Sequence, residues 1–104
     1  HKKLYQDAIR HLKTAIIDRP EATDPRYNLG LAYVEVKNDE SAIQTFDELI
    51  KLAPNHWDAY YSQAQLFIKE KKEGQAKSLL STIKASAPFY SKIEEVNALL
   101  ISLN

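Results

Sequence analysis

The residue types that most often carry out chemistry in proteins are few in this sequence, and their spacing does not suit it. The three histidines, His1, His11 and His56, include no pair four residues apart, the spacing that places two zinc ligands on one helix face. The chain has no Cys, which excludes thiolate catalysis, disulfides and Cys-ligated metals. Gly30 and Gly74 stand alone, so there is no glycine-rich phosphate loop. The sequence therefore predicts neither a metal nor a cofactor.

Charged residues occur in short runs that are typical of solvated helix faces. Asp47 and Glu48 cannot form an acid–base dyad, because adjacent residues on a helix point about 100° apart. Lys71 and Lys72 could contact a phosphate, but the negative charge of the adjacent Glu73 makes a phosphate site less favourable. The 14 Lys and Arg residues balance 14 Asp and Glu residues, which leaves no basic excess for nucleic acid or an anionic membrane. We therefore predict a non-enzymatic chain with no nucleic-acid partner and no direct membrane contact.

The composition favours a small helical domain. The chain has 104 residues, the size of one domain, and contains 2 Gly and 4 Pro, whereas a sheet protein of this length needs more turn residues. No apolar run approaches the roughly 20 residues that span a bilayer. We expect a single soluble all-α domain over residues 1–104. The sequence does not name its compartment, although the cytoplasm is favoured.

Three kinds of residue recur with a period of 34: prolines, small residues and large apolar residues. They are Pro20, Pro54 and Pro88; Ala8, Ala42 and Ala76; and Leu12, Phe46 and Leu80. Each kind has a mechanical role in stacked helix pairs. Alanine permits close helix approach, the bulky residue one turn later fills the adjoining space, and proline ends the helix. The period therefore predicts a helical repeat.

Between these positions, apolar residues at spacings of three and four predict six helices. We expect them at about residues 3–18, 24–37, 40–52, 57–70, 74–86 and 89–103. Asp24 and Pro25 have the residue types of a cap and a first-turn proline at the start of the second helix. The links between helices are short, so consecutive helices should be antiparallel.

A 34-residue helix pair resembles the tetratricopeptide repeat, whose pattern is W-x2-L-G-x2-Y, then A-x3-F, then P. Two stretches carry the resemblance. Residues 23–56 read Arg26-x2-Leu29-Gly30-x2-Tyr33, Ala42-x3-Phe46 and Pro54, and residues 57–90 read Tyr60-x2-Gln63-Ala64-x2-Phe67, Ala76-x3-Leu80 and Pro88. The first departs from the pattern at Arg26, and the second has Gln63 where an apolar residue is expected.

The resemblance implies an α-solenoid of antiparallel helix pairs that forms a right-handed superhelix. Residues 1–22 fit the second half of a repeat, and residues 91–104 fit the first helix of a further repeat or a capping helix. We therefore expect this chain to be a piece of a longer protein.

In this family the first helix of each pair lines a concave groove, so the resemblance also implies a set of peptide-binding residues. They are Tyr27, Asn28, Leu31 and Val34 from one repeat, and Tyr61, Gln65 and Ile68 from the next. Tyr27, Leu31 and Val34 follow i, i+4, i+7 spacing, which predicts a stripe separate from the one that packs the repeats. The alternative is that both stripes are buried in the core.

Family members that hold the C-terminal carboxylate of heat-shock chaperones use a clamp of Lys, Asn and Arg. Tyr27 and Leu31 stand where that clamp would have Lys and Asn. We therefore expect a non-catalytic scaffold that binds an apolar or amphipathic segment of a protein or peptide partner. The alternative function is a structural module that self-associates through residues 91–104, where the apolar run 98–101 leaves no polar side.

Overall fold

The computed structural model describes all residues 1–104 and contains six helices and no strand. The helices are α1 (Lys2–Asp18), α2 (Thr23–Glu35), α3 (Asp39–Leu52), α4 (Trp57–Lys69), α5 (Glu73–Ser86) and α6 (Ile93–Ser102). The prediction of an all-α chain with six helices is therefore confirmed.

The helices form two compact units. In the first unit (His1–Asn55), α2 packs against both α1 and α3, and in the second unit (His56–Asn104), α5 packs against both α4 and α6. Each unit has its own buried apolar residues. The division falls beside the boundary between residues 56 and 57 that the 34-residue period predicts.

The core of the first unit depends on a close contact between α2 and α3. Phe46 is fully buried, and its ring lies against the backbone of Gly30. A Cβ atom placed on Gly30 would be 2.5 Å from Cε1 and 2.6 Å from Cζ of Phe46, well inside van der Waals contact. Ala42 is also fully buried on α3. The small residues of the repeat therefore occupy the positions where large side chains could not fit.

The second unit buries the corresponding positions with different residues. Ala64, Ala76 and Leu80 have no exposed surface. Ala64 and Leu80 lie 34 residues after Gly30 and Phe46, so a slightly larger small residue is combined with a smaller apolar one. Gln63, where the pattern expects an apolar residue, is 2% exposed and carries its polar side chain into the core.

Two predicted helix starts are corrected by the structure. The N-cap of α2 is Ala22 rather than Asp24, which lies in the first turn, where its negative charge favours the helix dipole. Helix α6 begins at Ile93 rather than near residue 89, because the buried Tyr90 turns inward and the preceding chain forms turns. Other predicted helix ends lie within two residues of the observed ones.

Helices α2 and α4 end in the same hydrogen-bonded turn. After α2, the Lys37 amide donates to the Val34 carbonyl (3.0 Å) and the Asn38 amide to the Tyr33 carbonyl (2.9 Å). The same two bonds recur 34 residues later, at Lys71 and Lys72. This arrangement is a Schellman motif, in which the residue after the cap adopts a left-handed conformation that glycine favours. Here lysine occupies it, with φ of 61° at Lys37 and 60° at Lys71.

We expect Lys71→Gly to be more stable than Lys71→Ala by about 1 kcal/mol, because glycine has no Cβ to oppose a positive φ. Both variants remove the charge, so their difference isolates the backbone effect. The matched control is the same pair at Lys77, in the interior of α5, where alanine should be the more stable of the two by a similar amount. Urea unfolding of the four variants measures the differences. An advantage for Lys71→Ala would contradict the expectation.

The contact between Gly30 and Phe46 predicts a compensating pair of substitutions. Gly30→Ala should destabilise the protein by about 1–3 kcal/mol, since the added methyl group meets the Phe46 ring. Phe46→Leu should cost about 1–2 kcal/mol by leaving space. The double variant, which reproduces the Ala64 and Leu80 combination, should be at least about 1 kcal/mol more stable than the two separate losses predict.

Thermal or urea unfolding of the single and double variants gives this coupling energy. Gly74→Ala is the control, because a Cβ on Gly74 has no neighbour within 4 Å. It should stabilise the chain by about 0.5–1 kcal/mol. Strictly additive losses in the double variant would show that the two residues do not share one packing constraint.

Candidate binding surface

The four predicted residues of α2 lie on the side of that helix that the core leaves accessible. Asn28 is exposed, Leu31 is 37% exposed, and Tyr27 and Val34 are half-buried. We call Tyr27, Asn28, Leu31 and Val34 the α2 stripe. The buried residues of the same helix are Leu29, Gly30 and Ala32. No member of the α2 stripe is buried in the first unit.

Tyr27 contributes to packing as well as to the surface. Its ring centroid lies 6.0 Å from that of Phe46, and the two ring planes are tilted by 51°. This separation is within the range of favourable aromatic contacts. One part of the Tyr27 side chain therefore stabilises the fold, while the rest remains accessible beside Leu31. The i, i+4 spacing had suggested two separate stripes, and at this residue they overlap.

The three predicted residues of α4 form a similar surface on the second unit. Gln65 is exposed, and Tyr61 and Ile68 are half-buried. We call these three residues the α4 stripe. Like the α2 stripe, it combines aromatic, aliphatic and amide side chains and contains no charge.

Tyr61 is partly covered by residues from the segment between α5 and α6. Its ring meets the Tyr90 ring edge to face, with centroids 6.4 Å apart and planes at 63°. The ammonium group of Lys92 lies 5.3 Å from the centroid of the Tyr61 ring, which is cation–π distance. Tyr90 also donates its hydroxyl hydrogen to Oδ1 of Asp58 in the first turn of α4. These contacts fix the position of Tyr61 within the second unit.

The sequence did not indicate the role of Tyr90. Its position corresponds to His56 and Ala22 in the repeat register, and both of those residues are helix N-caps. An early start of α6 would have made Tyr90 an ordinary helical residue. The 34-residue register does provide a signal, since Tyr90 places a large aromatic residue at the position that Ala22 and His56 occupy in the other repeats.

His56 has a structural role as a helix cap. Nδ1 of His56 accepts from the Ala59 amide at 3.2 Å and so caps α4. Next to it, Trp57 is the first residue of α4, and its ring packs on Tyr60 with centroids 5.0 Å apart. No group of three or more His, Cys, Asp or Glu side chains is arranged to hold a metal ion. None of the helices combines the length and apolar character needed to cross a membrane.

Two clefts on the first unit lie away from the α2 stripe. One, of about 360 Å³, is bordered by residues at the start of α1 and the end of α2. The other, of about 210 Å³, is lined by side chains of α1, α2 and α3. Neither of these two clefts includes a residue of the α2 stripe.

The comparison with known proteins agrees with the repeat pattern of the sequence. A tetratricopeptide repeat family model matches residues 2–66, more than half of the chain. No curated protein matches the sequence. Among solved structures, MamA 41-end from Desulfovibrio magneticus RS-1 is 30% identical, with a TM-score of 0.76 over 81% of this chain and 48% of that one. This chain therefore spans about half the length of that MamA structure.

Two further structures share the fold at lower identity. The TPR2B domain of yeast Sti1, solved in a complex with pHsp70, is 23% identical, with a TM-score of 0.84 over 98% of this chain and 84% of that one. The type III secretion translocator chaperone SycD of Yersinia enterocolitica is 14% identical, with a TM-score of 0.84 over 97% and 72%. The repeated sequence pattern, the six helices and these likenesses agree, and the chain belongs to the tetratricopeptide repeat family as an all-α helical-repeat solenoid.

Proposed function

We propose that this chain is a non-catalytic protein-interaction scaffold that binds an apolar or amphipathic peptide segment. The repeats in this proposal run over residues 23–56 and 57–90, flanked by 1–22 and 91–104. The main support for this proposal is the α2 stripe, where Leu31 and Val34 remain accessible on a helix whose other side is packed. Apolar side chains presented together on a helix face favour an apolar partner.

The chemistry of the stripes supports an apolar or amphipathic ligand over a charged one. Neither the α2 stripe nor the α4 stripe contains a charged residue. A carboxylate ligand requires cationic or multiple amide donors. Asn28 and Gln65 are the only amides in the two stripes, and the ammonium group of Lys92 beside the α4 stripe already contacts the Tyr61 ring. The Sti1 domain was solved in a complex with pHsp70. Its likeness to this chain is in the fold, which is consistent with a protein partner and does not specify the same one.

Leu31 provides the sharpest test, because it is 37% exposed and is not among the buried residues of α2. A peptide selected from a random library against the wild-type chain would be the probe. Leu31→Gln should weaken its binding about tenfold or more, since central apolar residues of an interface commonly carry over 1 kcal/mol. Leu52→Gln is the matched control, a leucine 41% exposed at the end of α3 and outside both stripes.

Binding isotherms and melting temperatures of both variants are to be measured together. The expected result is lost binding for Leu31→Gln only, with both variants remaining folded. Equal binding by wild type and Leu31→Gln would show that the α2 stripe is not the site. Tyr27→Ala and Tyr61→Ala are less decisive, because they also remove ring contacts with Phe46 and Tyr90.

A second candidate function, self-assembly through residues 91–104, is favoured by the surface of α6. Val96 is its single buried residue, Ile101 is 75% exposed, and Leu99 and Leu103 are half-buried. A second copy of the chain would cover an apolar surface of this kind on α6.

If α6 joins two copies, replacing Leu99 and Ile101 with glutamine should weaken association about tenfold or more, because apolar burial would be lost. Sedimentation velocity over a concentration series would show the species moving toward monomer. Leu4→Gln is the control, because Leu4 is 67% exposed on α1. A wild-type chain that remains monomeric throughout the series would exclude self-assembly as the function.

A further inference from the structure

The cleft of about 210 Å³ on the first unit has an apolar and aromatic side formed by α2. Leu29 and Tyr33, one helical turn apart on α2, line it, and Leu29 is 6% exposed. The buried Thr45 of α3 also lines the cleft, and its hydroxyl donates to the Ser41 carbonyl at 2.7 Å. Thr45 is thus already satisfied. An occupant of this cleft would have apolar contact on one side and would not need to satisfy Thr45.

The other lining residues carry polar and charged groups that the protein leaves unpaired. Lys13 comes from α1, and Gln44 and Glu48 come from α3. Neither Lys13 nor Glu48 forms an ion pair, and the amide of Gln44 has no hydrogen-bond partner in the protein. The hydroxyl of Tyr33 is also without a protein partner. The cleft therefore presents one cation, one anion and several neutral hydrogen-bonding groups to the same space.

Lys13 is held near this space by an aromatic contact rather than by a carboxylate. Its ammonium nitrogen lies 5.8 Å from the centroid of the Tyr33 ring. A cation–π contact at an exposed position is weak, about 0.5–1 kcal/mol, so the ammonium can turn toward an incoming anion at small cost. On α3, Ser41, Gln44 and Glu48 follow i, i+3, i+7 spacing and form a polar edge.

We propose that this cleft binds a small zwitterion with the chemistry of one free α-amino acid, whose carboxylate pairs with Lys13 and whose ammonium group pairs with Glu48. A simple anion would leave Glu48 unpaired beside it, and a simple cation would leave Lys13 unpaired. The volume is below the 300–1,000 Å³ that is usual for sites of drug-sized ligands, which suits a single amino acid. The Tyr33 ring and the small accessible part of Leu29 give an aliphatic side chain of the ligand an apolar surface to contact. This site is separate from the α2 stripe and does not depend on the proposed peptide-binding function.

Free L-leucine is the probe, and two relatives test the charges. N-acetyl-leucine lacks the ammonium group, and leucinamide lacks the carboxylate. The wild-type chain is titrated with each compound while its amide NMR shifts are recorded. Leucine should give saturable shifts centred on Tyr33, Ser41 and Thr45, and each relative should bind about tenfold more weakly, because one charge-assisted hydrogen bond is lost. Absence of saturable shifts with leucine, or equal binding of all three compounds, overturns the proposal.

Four variants test whether leucine binds in the cleft. Glu48→Gln and Lys13→Gln should each weaken leucine binding about tenfold. Glu40→Gln on α3 and Lys3→Gln on α1 are the matched controls, because both side chains are exposed and lie outside the cleft. They should bind leucine as the wild type does. Equal effects of Glu48→Gln and Glu40→Gln would overturn the assignment, because general surface charge would then explain the binding.

Discussion

The close approach of α2 to the ring of Phe46 is the constraint on which the first unit depends. The Gly30 backbone lies so near the ring that no side chain fits between them. Dispersion contacts are lost steeply with distance, so this separation determines how well the fully buried Phe46 is packed. It also fixes which side of α2 faces the core. Leu31 and Val34 remain accessible because Leu29, Gly30 and Ala32 are committed to that packed side.

The second unit buries the corresponding positions with a different division of volume. Ala64 adds a methyl group relative to glycine, and Leu80 has a smaller side chain than phenylalanine, yet both are fully buried. Conserving total volume across a helix contact is what a close-packed interior tolerates best. The two repeats therefore bury a small and a large residue at equivalent positions, while the residues themselves differ. This explains how a loosely matching second repeat forms a core of its own.

The sequence predicted the helices well because their cause is local and repeated. Apolar spacing predicted the number and approximate limits of the helices, and the 34-residue period predicted Ala42, which is fully buried, as a close-contact residue. It did not predict the late start of α6, which depends on Tyr90 turning toward Asp58, 32 residues away in the chain. Nor could it separate the two roles of Tyr27, since amphipathic spacing does not show that one ring can meet both the core and the surface.

The accessible aromatic residues are held in place by the same contacts that make them only half-exposed. Tyr27 rests on Phe46, and Tyr61 is fixed by Tyr90 and Lys92. A freely moving side chain loses roughly 0.5–1.5 kcal/mol of conformational freedom when an interface immobilises it. For these tyrosines much of that loss has already occurred on folding. In each unit the tyrosine loses some accessible apolar area to these contacts, but its side chain is already ordered. A partner that binds either stripe would therefore lose less conformational entropy on binding.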